Sequence, residues 1–309
     1  MTKRSPSRAG LGGDGVDSPA RPPSTIRLKY QLPYDFHGLL EFFARRAIPG
    51  IEEVDANRYT RYFALNGRAG SLRVAQAKRA HALELSVDFP DHTQLPEIET
   101  RVRHLFDLDA DIAAINTTLS RKPPLQCQVA NNPGQRVPGA WDGFEIAVRA
   151  VLGQQISVAA ACTLCARLVQ RFGLRVNLSQ GREFHLFPSP NDLADTDLTV
   201  IGVTRARAQT LREMARAICA GRVDFNADQS LEEFVERWTA LPGIGPWTAH
   251  YIAMRALRHA DAFPAADLVL RKAASRDGTP LSTPKLQASA EAWRPYRAYA
   301  VLHLWRSVG

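Results

Sequence analysis

The segment Leu241-Pro-Gly-Ile-Gly-Pro-Trp-Thr-Ala249 constrains this chain more than any other. It lies between two stretches of helical periodicity. Glycine at 243 and 245 admits positive φ, so two helices can reverse direction within a few residues. Pro246 suits the first position of the second helix, where a missing N–H breaks no bond. The start of that helix presents unbonded N–H groups and the positive end of its dipole. Such a turn is a ready phosphate site that needs no charged side chain. A bare Gly-x-Gly between helices is most often an ordinary turn. The Leu-Pro before it and the Thr-Ala after it favour the phosphate-binding reading.

The chain from about 138 onward reads as helical. Asp142 precedes an apolar-periodic run through Leu152, which Gly153-Gln154-Gln155-Ile156 interrupts. Ser157 is placed to cap a helix that reaches Phe172 and ends at Gly173. A further helix covers 204–220. Ser230-Leu-Glu-Glu233 is a capping box, and Asp267 and Pro295 open further short helices. Before this region the chain mixes α and β. Strand-like alternation or β-rich composition marks 26–30, 59–65, 71–75 and 82–87. Helical spacing marks 36–46, with Leu39, Phe42 and Phe43 on one face, and 96–106. Arg121-Lys122-Pro123-Pro124 reads as a linker. Residues 1–25 hold four Gly, four Pro and four Ser and no apolar core of a signal peptide, and read as a flexible tail.

The formal charge of the 309 residues is +8, and it is unevenly placed. Residues 1–120 carry 16 Lys/Arg against 15 Asp/Glu, and the remainder carries 23 against 16. A basic surface on the later part suits an anionic polymer such as DNA. Four cysteines make no disulfide framework, and Cys162 and Cys165 fall inside an Ala-rich helical run, which reads as packing rather than a redox or metal pair. The longest apolar run, 158–166, is too short to span a bilayer. From the cysteines a reducing cytoplasm fits, and from the short apolar run no membrane partner is expected.

The hairpin string resembles that of the helix-hairpin-helix DNA glycosylase superfamily, in which an essential Asp follows about twenty residues later at the start of another helix. Here Asp267 follows Trp247 by 20 residues, in Phe263-Pro-Ala-Ala-Asp-Leu-Val-Leu270. An Asp before a helix is usually only a cap; hairpin and Asp at this spacing favour the catalytic reading. The segments at 33–36, 105–108, 151–157 and 293–305 are similar to those of the alkylation-repair branch, the 3-methyladenine DNA glycosylase II family. They fall in order along the chain and leave only the tail uncovered.

This resemblance implies an α+β protein: an N-terminal antiparallel-sheet α+β domain at 26–118, then an all-α core at 119–309 in two lobes with the active-site cleft between. It implies a bacterial enzyme of the cytoplasm and nucleoid that acts on double-stranded DNA with damaged bases. Nothing in the sequence marks an oligomer interface, so a monomer is expected. It implies Asp267 as catalytic carboxylate. Trp247, Tyr251, Trp305, Phe42 and Gln154 would form the base pocket, and Gln155 the wedge that fills the duplex gap. Gly243, Gly245 and Thr248 would hold phosphate. The carbonyls of Leu241 and Ile244 would hold a structural Na⁺ or K⁺, and no other cofactor is implied. For Trp305 and Phe42 the residues alone leave core packing open, and for Gln154 and Gln155 a polar break between helices.

Relatives that also cut the strand carry a nucleophilic Lys in the second hairpin helix. Trp247 stands at that position here, and no Lys lies between Lys122 and Lys272. Hydrolysis by water is therefore favoured over Schiff-base chemistry. No Cys follows Cys219, which excludes a C-terminal four-cysteine cluster within this sequence. His250 and His303, with no carboxylate cluster around them, read as structural or DNA-facing rather than metal ligands. Two rival readings stand beside the hydrolase: a non-catalytic DNA-binding module using the hairpin as a clamp, and a bifunctional glycosylase/lyase.

Overall fold

In the computed structural model, residues 23–79, 81–121, 124–177, 183–275 and 278–308 are described. Most of the tail, 1–22, and Lys122 and Pro123 of the expected linker lie outside them.

Five strands form one antiparallel sheet: β1 (Ser24–Lys29), β2 (Glu52–Val54), β3 (Arg58–Leu65), β4 (Arg68–Gln76) and β5 (Ala82–Asp88), in the order β1-β5-β4-β3-β2. Alternation drives it. Leu72 and Val74 of β4 and Leu83, Leu85 and Val87 of β5 are buried, as period-two side chains on one face must be. That face packs on α1 (Phe36–Ala44) and α2 (Leu95–Leu105), through Leu39, Leu40 and Phe43 of the first and Ile98 and Val102 of the second. β1 begins two residues earlier than its alternation suggests, inside the stretch read as tail. β2, three residues long, is too short to show a period.

A second core gathers the remaining elements. They are α3 (Ile112–Leu119), α4 (Leu125–Asn131), α5 (Gly143–Leu152), α6 (Val158–Phe172), α7 (Pro190–Ala194), α8 (Arg205–Cys219), α9 (Leu231–Thr239), α10 (Pro246–Ala256), α11 (Leu268–Ala273), α12 (Thr283–Ala290) and α13 (Arg297–Arg306). The caps fall where the sequence places them. Ser157 accepts the Ala160 N–H, and Gly173 ends α6. Ser230 and Glu233 form a complete capping box on α9. Pro246 is the first residue of α10. Proline 295 is different: the chain first closes a turn through Tyr296 N–H to Trp293 O at 2.8 Å, so α13 starts at Arg297 rather than at the proline.

The helical part also carries a ribbon, β6 (Arg175–Asn177) and β7 (Glu183–His185), that the sequence reading did not anticipate. Phe184 of β7 stacks on Tyr62 of β3 at 4.7 Å, so the ribbon joins the helical part to the sheet. A second tie is Asp107, which is 2 % exposed and accepts from Val137 N–H, Tyr299 Oη and Arg258 Nη1. Among the described residues no helix is long and apolar enough to cross a membrane.

Candidate active site

Asp267 caps α11, so its place is fixed by its own backbone: Oδ1 accepts the Leu270 N–H at 2.9 Å. That is the structural role an Asp before a helix ordinarily has. Two further donors set this residue apart. Trp305 Nε1 of α13 donates to Oδ1 at 3.2 Å, and Trp247 Nε1 of α10 donates to Oδ2 at 3.0 Å. A half-buried carboxylate held by two indoles and a backbone N–H cannot swing, while an ionised carboxylate has about four acceptor positions and three are filled. The arrangement keeps a fixed negative charge at the edge of an aromatic cluster. Trp247 and Tyr251, one turn apart on α10, stack at 5.4 Å with an interplanar angle of 11°. Tyr251 and Trp305 approach at 6.3 Å.

These groups border a cavity of about 500 Å³. Phe42 of α1 lines it too, but its ring is not bare. The Arg46 guanidinium lies 3.8 Å from the ring centroid and that of Arg255 4.8 Å. Arg255 is fixed by the Pro138 and Gly139 carbonyls and donates to Tyr251 Oη at 2.9 Å. Burial raises the Tyr251 phenol pKa, but the guanidiniums of Arg255, Arg46 and Arg149 outweigh burial and hold it below the usual phenol value. The floor is a buried ion cluster of Glu52, Arg61, Glu145 and Arg149. None of these charges was singled out from the sequence. A local signal existed for two of them, because Arg46 and Arg255 each lie four residues after a pocket aromatic, one helical turn away. Cys162 and Cys165 face the same cavity as free thiols; burial pushes Cys165 up to about 12.

The loop between α5 and α6 is tied to the hairpin. Gln154, expected in the pocket, is placed elsewhere: its side-chain amide donates to the Gly243 carbonyl and to Thr248 Oγ1, both at 3.0 Å. Arg207 Nη2 donates to the Gln154 carbonyl at 2.6 Å. This braces the loop, and the next residue, Gln155, is exposed at the tip with φ +58°. The left-handed conformation is uncommon outside glycine. Thr248, expected on phosphate, is 3 % exposed with its hydroxyl turned to Gln154, which removes that hydroxyl from any strand outside.

The two glycines of the hairpin do different work. Gly243 has φ +81°, and a Cβ there would sit 2.0 Å from Thr210 Oγ1. Gly245, expected to use positive φ, is extended at φ −93°. It is exposed, and beyond its own chain neighbours no atom lies within 4 Å of the position a Cβ would take. The fold therefore does not demand glycine at 245; what its absence of side chain leaves is an open approach to the first turn of α10. That turn has no side-chain cap, and the first N–H groups of a helix have no partner within the helix. Leu241 O accepts the Ile244 N–H at 3.1 Å. His250 Nδ1 accepts the Phe263 N–H at 3.3 Å, and burial pushes both His250 and His303 down to about 4, which keeps them neutral. Among the described residues no group of three His, Cys, Asp or Glu is placed to hold a metal ion.

A family model for the AlkA N-terminal domain matches residues 25–142, and one for the HhH-GPD superfamily base excision DNA repair protein matches residues 148–298. The DNA-3-methyladenine glycosylase 2 of Escherichia coli is 33% identical over 286 residues, 91% of this chain and 97% of that protein. A probable bifunctional transcriptional activator/DNA repair enzyme AlkA of Mycobacterium tuberculosis is 38% identical over 92% of this chain; the chain spans 57% of that relative's length. In fold, the chain is similar to the solved 3-methyladenine DNA-glycosylase from Archaeoglobus fulgidus, with a TM-score of 0.78 at 23% identity over 92% of this chain and 97% of the other.

Proposed function

The chain belongs to the HhH-GPD superfamily of base excision DNA repair proteins, in its DNA-3-methyladenine glycosylase 2 family, and from that premise we propose that it is a monofunctional DNA glycosylase that removes alkylated bases from double-stranded DNA. The observation that carries this reading is the Asp267 carboxylate, pinned by the indoles of Trp247 and Trp305 at the edge of an aromatic-bordered cavity.

The target bond is hidden in the base stack, so the nucleotide must be extruded at a cost of a few kcal/mol. Stacking on Trp247, Tyr251 and Trp305 offsets about 1–3 kcal/mol of that. Alkylation of a ring nitrogen makes the base cationic and a better leaving group. As the C1′–N bond breaks, its electron pair departs with the base and positive charge develops on the sugar. Asp267 stabilises that charge and takes the proton of the water that adds to C1′, passing it on to solvent. Gln155 at the loop tip enters the gap left in the duplex, and Gln154 positions it rather than contacting the base. The N–H groups at the start of α10 take a strand phosphate beside Gly245. The Leu241 carbonyl keeps a second lone pair; with the Ile244 carbonyl it would hold Na⁺ or K⁺, adding positive charge where that phosphate docks. The reading goes with action as a monomer on the chromosome in the cytoplasm. A clamp without catalysis does not account for a carboxylate fixed by two tryptophans, and a lyase lacks its amine at position 247.

The test is chromatography of bases released from methylated duplex DNA. Free 3-methyladenine is the expected product. Release of uracil or oxidised bases alone would overturn the alkylation assignment. Binding to undamaged duplex should weaken steeply with salt and hardly depend on sequence, because phosphates carry it; a salt titration by fluorescence anisotropy that comes out flat would contradict the phosphate contacts.

A further inference from the structure

If the cavity receives an extruded base, the polar groups that base meets are one-sided. Apart from one open position on Asp267, the catalytic carboxylate, the carboxylates of the lining and the carbonyls beside Arg255 are engaged. Glu52 accepts from Tyr59 Oη at 2.8 Å and Arg149 Nη2 at 2.6 Å. Glu145 accepts from Arg149 and Arg61, and the Pro138 and Gly139 carbonyls accept from Arg255. The donors are not all engaged. Arg46 uses one N–H on the Phe42 carbonyl at 3.3 Å and rests its guanidinium plane on the Phe42 ring. Among the described residues no carboxylate forms an ion pair with it, unlike Arg61 and Arg149 beside it. A guanidinium has five N–H groups in a fixed fork, so Arg46 keeps several for the cavity it lines. Tyr251 Oη accepts from Arg255, which leaves its own proton to donate.

The charge count points the same way. Glu52 and Glu145 neutralise Arg61 and Arg149. What remains on the lining is Arg46 and Arg255 against the single carboxylate of Asp267. Those two guanidiniums also cover the ring of Phe42, which takes one of the cavity's aromatic faces away from a cationic base.

We propose that Arg46 is a specificity-determining residue which, together with the Tyr251 hydroxyl, donates hydrogen bonds to a carbonyl oxygen on the edge of the extruded base. At equal lability of the glycosidic bond, the pocket then favours 6-oxopurines over 6-aminopurines. An amino edge sets N–H against N–H and leaves buried donors unpaired, which costs more than the bond itself is worth. A site built from donors discriminates strongly against an analogue without the acceptor. The inference rests on the glycosylase reading and adds the chemical class of base that the pocket selects.

The experiment is a cycle of two substrates and two enzymes. Duplexes carry either hypoxanthine or unsubstituted purine, the same ring without the 6-oxo group, at one position. Single-turnover release is measured with wild type and with Arg46→Met. The ratio of the two rates within each enzyme cancels the folded fraction of each preparation, and comparing that ratio between the two enzymes cancels the intrinsic lability of each bond. Loss of a hydrogen bond to a charged donor should lower the hypoxanthine-to-purine ratio about tenfold or more in the variant. An unchanged ratio, with both substrates slowed alike, overturns the role of Arg46. Should Arg46→Met not fold, Arg46→Gln, which loses the fork and the charge, is read in the same way. A wild-type protein that releases no base from these duplexes or from methylated DNA overturns the glycosylase reading itself.

Discussion

Asp267→Asn is expected to release 3-methyladenine from methylated duplex about 10²–10³ times more slowly than wild type, while still binding the damaged duplex at least as tightly. The two halves of this expectation come from different properties of one side chain. Catalysis needs the negative charge, because only the transition state carries the sugar cation that the charge stabilises. Binding does not need it; removing a negative charge from a surface that faces phosphates slightly helps association. The amide is the same size as the carboxylate, so the cap survives if its oxygen keeps the Leu270 N–H and the Trp305 indole. Its NH₂ then faces the Trp247 indole N–H, donor against donor, where Oδ2 now accepts at 3.0 Å. A local loss of about 1–3 kcal/mol follows from that unpaired donor, and the tryptophan fluorescence should shift with it. Single-turnover release and anisotropy with the same duplex measure the two halves. Equal release rates for variant and wild type would return Asp267 to the role of a helix cap and leave the hairpin as a clamp without chemistry.

The parts of this molecule that could be read from its sequence are those whose cause is local. Caps act over three residues, so Ser157, Ser230 and Asp267 announced their helices without any knowledge of the fold. Strand β5 alternates because one face is covered, whereas β3 is buried on both, with Tyr59 and Phe63 in the sheet core and Tyr62 under the ribbon, and was legible by its β-rich composition. The hairpin and the Asp twenty residues on form one further local pattern. What escaped has partners far along the chain. Glu52 and Arg149 meet across 97 residues, and no period or motif marks either of them. Gln154 turns away from the pocket because two hairpin atoms, the Gly243 carbonyl and the Thr248 hydroxyl, accept its amide, an arrangement set by how α5 packs on α10. Thr248 is lost to phosphate by the same contact. Phe42 was legible as an apolar face residue, and Arg46 over its ring carried a local signal one turn on, whereas Arg255, which arrives on the same ring from α10, was not legible as its neighbour. The ribbon β6–β7 has three residues a strand, too few for alternation to declare itself.

Glu52→Gln should lower the unfolding free energy by about 3–5 kcal/mol at neutral pH, because it strands charge at the junction of the two cores. Glu52 lies on β2 and accepts the Ile48 N–H at 3.1 Å, Tyr59 Oη at 2.8 Å, Arg61 Nη1 at 3.2 Å and Arg149 Nη2 at 2.6 Å. Arg149 comes from α5 in the helical part, so the cluster fastens sheet to helices as well as flooring the cavity. Two arginines and two glutamates balance there; the amide leaves two arginines with Glu145 alone. Burial by itself raises the Glu52 carboxyl, but Arg149 and Arg61 overcome burial and bring it from 4.5 down to about 2. A carboxyl depressed in the folded state stabilises the fold fully above its unfolded pKa, and that contribution is lost as pH falls toward its folded one. The stability gap between wild type and variant should therefore be widest above about pH 4.5 and close as the pH is lowered toward 2. Urea unfolding of both proteins at neutral pH and again at about pH 3, with midpoints compared at fixed slope, measures the gap. A gap that stays constant across this range would mean that the loss comes from packing or from the Tyr59 hydrogen bond. A gap below about 1 kcal/mol at neutral pH would place the cluster among ion pairs that contribute little to stability.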